Sequence, residues 1–393
     1  MSQETLIPGP RRSDTVTWPP LPVTRQRRPA RPRRRWLMRL LALALATVAA
    51  GLLAETSVRA FVGEQPKFPR HVVEAPWGLR VNQPGAVYRH KSADVKVWFR
   101  INAQGMRADR DYPYAKPPGV LRILSLGDSY TIGYEVAQEA CFSSVLEREL
   151  RARGLAVEVL NCGVSGFSSA EECLYLEREL LRYDPDLVLV SYYPNDLTDN
   201  IRTGLFGLEG GRLVEQARRY VPGGRLGNLL NHSWLLSRLS ERSDAFALLK
   251  ERLTHLLKRE MVAAGQREVR AAAAAAAGGP QPRSAEREYQ QRLALAIYER
   301  IYAGLRARGI PLLVQSIPLR LPDDTLVEEF PPGFDFDRPG LAFLGAKPFL
   351  DPLVGKHDLY YRRSHWHWTP ISHRLSGEHL ARRILERGLL PAR

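Results

Sequence analysis

Hydrophobic and polar positions fall into distinct regimes along the chain. Residues 1–35 are rich in Pro and Arg and carry almost no apolar periodicity, the pattern of a disordered segment. Residues 36–54 are then 19 positions in a row with a single charge, Arg39, near the start. A helix of that length spans roughly 28 Å, about one hydrocarbon core, and an arginine near its end can snorkel to the headgroups. Between 65 and 120 prolines recur, and one alternating stretch, 95–101, predicts a small β element. From Val120 onward short apolar runs alternate with amphipathic ones. Strands are predicted over 122–126, 157–160, 186–191 and 310–317, and helices over 140–153 and 170–182. Apolar strands separated by helices predict an α/β domain whose parallel sheet is covered on both faces. Sites in such sheets lie in the loops beyond the carboxyl ends of the strands.

Residues 200–285 interrupt this alternation. Phe246, Leu249, Leu253, Leu256 and Leu257 are spaced as one face of a helix, and Lys250, Arg252, Lys258 and Arg259 make the segment basic. It reads as a helix packed on the domain with a solvated charged face; a cap over the site and a helix at the membrane surface are the alternatives. Residues 271–277 are all alanine and run into Gly-Gly-Pro, a fraying helix end and a linker.

Hydrophobic residues make up 44% of the chain and charged residues 25%, which excludes disorder over most of it and a multi-spanning membrane protein. The net charge of +15 suggests nucleic acid or an anionic surface until its distribution is read. Nine arginines against Glu4 and Asp14 give residues 1–35 a net +7, so the body is only modestly basic and nucleic acid loses its support. Arg31, Arg33, Arg34 and Arg35 precede the apolar run and no comparable cluster follows it. By the positive-inside rule the tail stays cytoplasmic and the body is exported. The expected organisation is a disordered basic cytoplasmic tail (1–35), an uncleaved transmembrane anchor (36–56), an extended, partly β preamble (57–118), and an α/β domain (119–393) with the helical insertion at 200–285. A cleaved signal peptide is the rival reading of the apolar run, and a buried soluble helix the third. Cys141, Cys162 and Cys173 are too few and too irregular for a disulfide scaffold; they read as buried small side chains, with room for one bridge.

Three consecutive strands run into chemistry. The first ends in Gly127-Asp128-Ser129, a serine in a Gly-rich turn with its own N–H free to donate. The second ends in Asn161-Cys162-Gly163-Val164-Ser165-Gly166, where glycines let backbone N–H groups face a ligand. The third ends in Tyr193-Pro194-Asn195-Asp196, which brings a side-chain amide. A hydroxyl with convergent donors is what acyl transfer requires. The base is sought near the C-terminus, in Ser364-His365-Trp366-His367-Trp368-Thr369-Pro370, where Thr369 and Pro370 also signal a helix start. Asp128 and Asp196 read as turn and cap carboxylates. Trp366, Trp368, Tyr192 and Tyr193 line an acceptor cleft or pack the core.

These blocks resemble the SGNH (GDSL-type) hydrolase superfamily, and most of all its membrane-anchored bacterial branch. Gly127-Asp128-Ser129 matches the first block, Gly166 (with Gly163 the alternative) the second, Asn195 the third, and His367 the last, over roughly residues 65–390. The resemblance implies a flavodoxin-like three-layer α/β/α sandwich and O-acyl hydrolysis or transfer without metal or cofactor. It makes Ser129 the nucleophile, His367 its base, and the Ser129 N–H, Gly166 N–H and Asn195 side chain the oxyanion hole. Acylated envelope carbohydrate or lipid is the expected partner, with the catalytic domain on the extracytoplasmic side of the inner membrane.

The sequence departs from the family at one point. The orienting Asp two or three residues before the histidine is replaced by Ser364 and His365. Losing that carboxylate from a related triad costs about 10⁴ in turnover. The Ser364 hydroxyl or a backbone carbonyl holds the ring, or Asp358 or Asp351 reaches in, or the protein is a non-catalytic carbohydrate-binding or polysaccharide-assembly protein on the same fold. His365 and His367, spaced as HxH with His357, His373 and His379 nearby, are the raw material of a metal site, but no acid completes the set and none is expected.

Overall fold

The computed structural model describes residues 32–67, 72–221, 233–277 and 283–391. The expected disordered tail therefore falls almost wholly outside the described residues. The chain divides into two compact units, residues 1–53 and 54–393.

The first unit is built on helix α1 (Pro32–Ser57), which continues as a turn of π-helix over Val58–Val62. Its leucines are exposed and apolar side chains surround it, the composition of a membrane span and not of an amphipathic helix. The stretch Arg35–Val62, 28 residues, is long and apolar enough to cross a membrane, a test that a signal sequence also passes.

The second unit opens with four short strands, β1 (Val72–Glu74), β2 (Arg80–Asn82), β3 (Val87–Lys91) and β4 (Lys96–Arg100). The alternating stretch near residue 95 is β4, which pairs antiparallel with β3. The domain proper then runs β5 (Leu121–Leu126), α2 (Phe142–Ala152), β6 (Val157–Asn161), α3 (Ser169–Arg178), β7 (Leu187–Tyr192) and α4 (Asp196–Thr203). After the hairpin β8 (Phe206–Glu209) and β9 (Arg212–Glu215) come, among the described residues, α5 (Trp234–Arg242), α6 (Asp244–Ala277) and α7 (Arg283–Arg306). The chain closes with β10 (Leu312–Ser316), the small pair β11 (Leu319–Arg320) and β12 (Leu326–Val327), β13 (Leu341–Gly345), α8 (Lys347–Leu350) and α9 (Pro370–Glu386).

Strands β13-β10-β7-β5-β6 form one five-stranded sheet, all neighbours parallel. Taken in chain order this is the 2-1-3-4-5 arrangement of flavodoxin-like sheets. Alternate residues of each strand face opposite layers. Leu124, Leu126, Val188, Val190 and Val314 pack with α3 and α7, whereas Ile123, Val159, Leu187, Leu189 and Leu313 pack with α2 and α9. Coverage on both faces is why the strands read as unbroken apolar runs. Helices α2 and α9 meet at Gly377, where a Cβ would come within 2.6 Å of Val145.

Two features differ from the expectation. The insertion is not purely helical, since it contains the β8–β9 hairpin, whose Glu-Gly-Gly-Arg turn lies where helix was expected. The fifth strand, β13, was not singled out, because a five-residue apolar run after Pro-Gly is too short to distinguish from a loop.

Candidate active site

Strand order builds the site. The first strand, β5, lies between β6 and β7, so the loop after β5 is flanked by the loops that follow its two neighbours. Ser129 is in the central loop, Gly166 in the loop after β6, and Asn195 after β7 as the residue preceding α4. Ser129 is half-buried, and its Oγ lies 2.8 Å from His367 Nε2 although 238 residues separate them in sequence. The histidine is held by its loop. Tyr361 N donates to the His367 carbonyl at 2.9 Å, Tyr130 Oη donates to the Trp366 carbonyl at 3.3 Å, and the imidazole lies between the rings of Tyr134 and Tyr130, 4.6 and 5.0 Å away between centroids. Thr369 and Pro370 start α9 as expected, but the Thr369 hydroxyl donates to the Asp358 carbonyl at 2.6 Å and does not cap the helix.

The group facing the far side of the ring is none of those expected. It is Glu135, whose Oε2 is 3.8 Å from His367 Nδ1, an ion-pair distance rather than a hydrogen bond. Ser364 Oγ donates to Asp94 at 3.1 Å; Asp358 is exposed and pairs with Arg362; Asp351 pairs with Lys347. The acid that faces the imidazole therefore comes from the loop that carries Ser129, six residues past it. Glu135 is fully buried and in the left-handed region, with φ of 70°. A non-glycine residue there costs of order 1–3 kcal/mol and persists where its surroundings over-determine it. The surroundings are identifiable. His90 Nε2, on β3 and itself fully buried, lies 3.0 Å from Glu135 Oε1, and His365 Nδ1 is 3.9 Å from the same oxygen. Burial alone would raise the carboxyl's pKa; the His365 and His90 imidazoles, with His367, outweigh it and hold Glu135 below the ordinary carboxylate range. Burial pushes His90 the other way, downward, against the pull of that carboxylate.

His90, Glu135 and His365 also bring three ligand-type atoms within 4.8 Å of one another, and are the group among the described residues that could hold a metal ion. The other histidines do not join them. His373 is buried and accepts from Phe142 N at 3.3 Å, and His379 stacks on Phe349.

The oxyanion-hole candidates separate. Gly163 N donates to Asn161 Oδ1 at 3.1 Å and a Cβ at Gly163 would sit 2.3 Å from Ile132 N, so this glycine serves close packing. Among the described residues, neither the Ser129 nor the Gly166 N–H is taken by a backbone acceptor. Arg80, from β2, fixes the Gly166 loop: Nη1 donates to the Ser165 carbonyl at 3.2 Å, Nη2 to the Gly166 carbonyl, and Nε to Glu171 at 3.1 Å. Arg202 Nη2 reaches the same Gly166 carbonyl at 3.1 Å. The Ser165 carbonyl and the Gly166 N–H belong to one trans peptide and point oppositely, so holding the first aims the second. Asn195 Nδ2 donates to Asp199 at 3.3 Å.

Asp128 is a turn carboxylate, as expected, with Oδ1 accepting from Tyr130 N at 2.9 Å. It is also buried, which pushes its pKa up to about 7, with Asp199 adding to the effect. Asp196 is not a cap: it is buried, as is Glu172 on α3, and burial raises both carboxyls well above their usual range, with repulsion from Glu172 adding at Asp196 and from Asp128 and Glu171 at Glu172. Trp368 and Tyr192 are core residues, whereas Trp366 is exposed beside Arg320. All three cysteines are free and buried.

What the sequence did not single out is the contribution of the preamble. His90, Arg80 and Arg107 all come from it, and Arg107 donates to the carbonyls of Ile132, Gly133 and Val136, the loop that carries Glu135. A lone basic residue in an extended segment gives no pattern to find.

Comparison with known proteins adds the following. The GDSL-like lipase/acylhydrolase family matches residues 125–280. An arylesterase of Vibrio mimicus is 35% identical over 75 residues, which span 19% of this chain and 38% of that protein. Among solved structures, TesA (13% identity, TM-score 0.34) is covered over 99% of its length by 68% of this chain. The psychrotrophic esterase EstA of Pseudoalteromonas sp. (14%, TM-score 0.35) is covered over 97% by 67%. An esterase of the SGNH-hydrolase family (18%, TM-score 0.32) is covered over its full length by 70%.

Proposed function

We propose that this chain, whose residues 125–280 match the GDSL-like lipase/acylhydrolase family, is a serine esterase of that family with Ser129 as nucleophile and His367 as base. The observation that carries the reading is the 2.8 Å contact between Ser129 Oγ and His367 Nε2. Ser129 Oγ bonds to the acyl carbonyl carbon as its proton passes to His367 Nε2. The oxyanion is received by the Ser129 and Gly166 N–H groups and the Asn195 amide. His367 then returns the proton to the leaving alcohol, and the acyl-enzyme is released by water, or by a sugar hydroxyl if the enzyme transfers the group. Glu135 stabilises the imidazolium that forms in between, the role the triad carboxylate has in serine hydrolases. A catalytic hydrogen bond that is long without substrate commonly tightens in the complex, which accommodates the 3.8 Å separation.

The reading as a non-catalytic binder rested on a missing acid, and Glu135 removes that ground. The apolar helix serves in this proposal as an uncleaved anchor, with the basic tail cytoplasmic and the catalytic unit exported, so that an acyl group on envelope carbohydrate or lipid is the substrate. The test is hydrolysis of p-nitrophenyl acetate by the full chain in detergent, beside Ser129→Ala and His367→Ala. Activity in the parent alone is expected; equal background rates in all three would overturn the proposal.

A further inference from the structure

Helix α6 has two unlike faces. On one, Ala247 is buried, the helix packs against α4, and Glu251 Oε1 comes 4.0 Å from His365 Nε2 beside the catalytic histidine. On the other, Leu249, Leu253, Leu256 and Leu257 recur at i, i+4, i+7 and i+8, and each is more than half exposed. Leu235 and Leu239 on α5 are exposed as well, and Arg238, Arg242, Arg252 and Arg259 are exposed among them. A largely apolar face rimmed by arginines, with Glu260 the acid on the same side, is unusual on a protein surrounded by water.

The start of α6 is tied to the segment that follows the apolar run. Glu55, the first charge after residues 36–54, accepts from Ser243 Oγ at 2.8 Å, Asp244 N at 3.0 Å and Ala245 N at 3.1 Å. Asp244 in turn pairs with Arg59 at 2.9 Å and Lys67 at 2.6 Å, and accepts from Gln65 N at 2.9 Å. Phe61, in the same segment, is 88% exposed. The first turn of α6 is therefore tied to the residues that follow next in sequence after the apolar run, which for an anchor is the stretch that leaves the membrane.

We propose that the leucine face of α6, with Phe61, lies in the headgroup layer of an anionic phospholipid leaflet, the one from which the anchor emerges. The inference rests on the anchor reading given above. Apolar side chains enter the boundary between headgroups and acyl chains while the arginines meet lipid phosphates, as in amphipathic helices that lie in the membrane plane. The opposite face of the same helix borders the His365 loop, so the leaflet and the active site lie on two sides of α6.

Because the native cysteines are buried, Leu253→Cys, Leu256→Cys and Arg308→Cys can each take a fluorescent probe selectively; Arg308 is exposed at the amino end of β10, away from the site. Each labelled full-length chain is reconstituted into vesicles of phosphatidylcholine and phosphatidylglycerol bearing a nitroxide lipid. Quenching at 253 and 256 about threefold or more above that at 308 is expected. A chain that does not float with the vesicles overturns the proposal by removing the anchor. A chain that floats with equal quenching at all three positions overturns the docking and leaves the anchor standing. A probe at 253 shielded from both the nitroxide and aqueous iodide means that a second copy or another protein covers the face, which also overturns it.

Discussion

The strand-end loops and the amino-terminal preamble contribute to the site in different currencies. The loops after β5, β6 and β7 supply the atoms that would touch substrate: the Ser129 hydroxyl, the Gly166 N–H and the Asn195 amide. The preamble supplies buried polar and charged side chains that orient those atoms. His90 holds Glu135, Arg80 holds the Ser165–Gly166 peptide, and Arg107 holds three carbonyls of the loop that carries Glu135. The loops could adopt their turns from local glycine and proline chemistry, but their aim depends on partners from outside the α/β core. The segment that precedes the α/β core therefore contributes contacts to the candidate site.

The sharpest way to test that division is to remove one group at a time. His367→Ala should cost the most, about 10⁴-fold or more in kcat/KM with the fold intact, as for removal of a triad base. Arg107→Met comes next: it leaves three buried carbonyls without their donor, and about 3 kcal/mol of stability should be lost in urea unfolding. Arg80→Met should lower kcat by about 10- to 100-fold with little change in KM, because the oxyanion donor is misaimed and not removed. If Arg80→Met raised KM alone, the preamble would be serving substrate binding and the comparison would fail. The smallest effect belongs to the scaffold. Burial pushes His373 down to about 3 from its ordinary 6.5. Between those values the folded state binds fewer protons than the unfolded chain, so stability rises with pH across the window and is lost as pH falls through it. Unfolding followed from pH 6.5 to 5 should show a loss of about 1–2 kcal/mol from this residue, removed in His373→Gln.

The parallel sheet was legible because each central strand is apolar on both faces, and the loops because Gly, Ser and Asn sit where those strands end. The pairing of Ser129 with His367 was legible only through the resemblance of whole blocks, since nothing local connects residues 238 positions apart. Glu135 was hidden for a physical reason. Its role depends on a left-handed backbone and on His90, 45 residues upstream, and neither leaves a periodic trace. The acids that precede His367 in sequence, Asp358 and Asp351, lie on the right chain segment but pair with Arg362 and Lys347. The β8–β9 hairpin was masked by the leucine spacing of the helices that follow it.

The central claim, that a buried carboxylate on the same loop as Ser129 makes the serine–histidine pair competent, comes down to Glu135. Its test is the kinetics of Glu135→Gln on p-nitrophenyl acetate, measured beside Asp358→Asn. The account predicts that Glu135→Gln lowers kcat by about 10²- to 10⁴-fold with KM nearly unchanged, while Asp358→Asn behaves as the parent. A Glu135→Gln enzyme within threefold of the parent, or an Asp358→Asn enzyme that fails in its place, would contradict it.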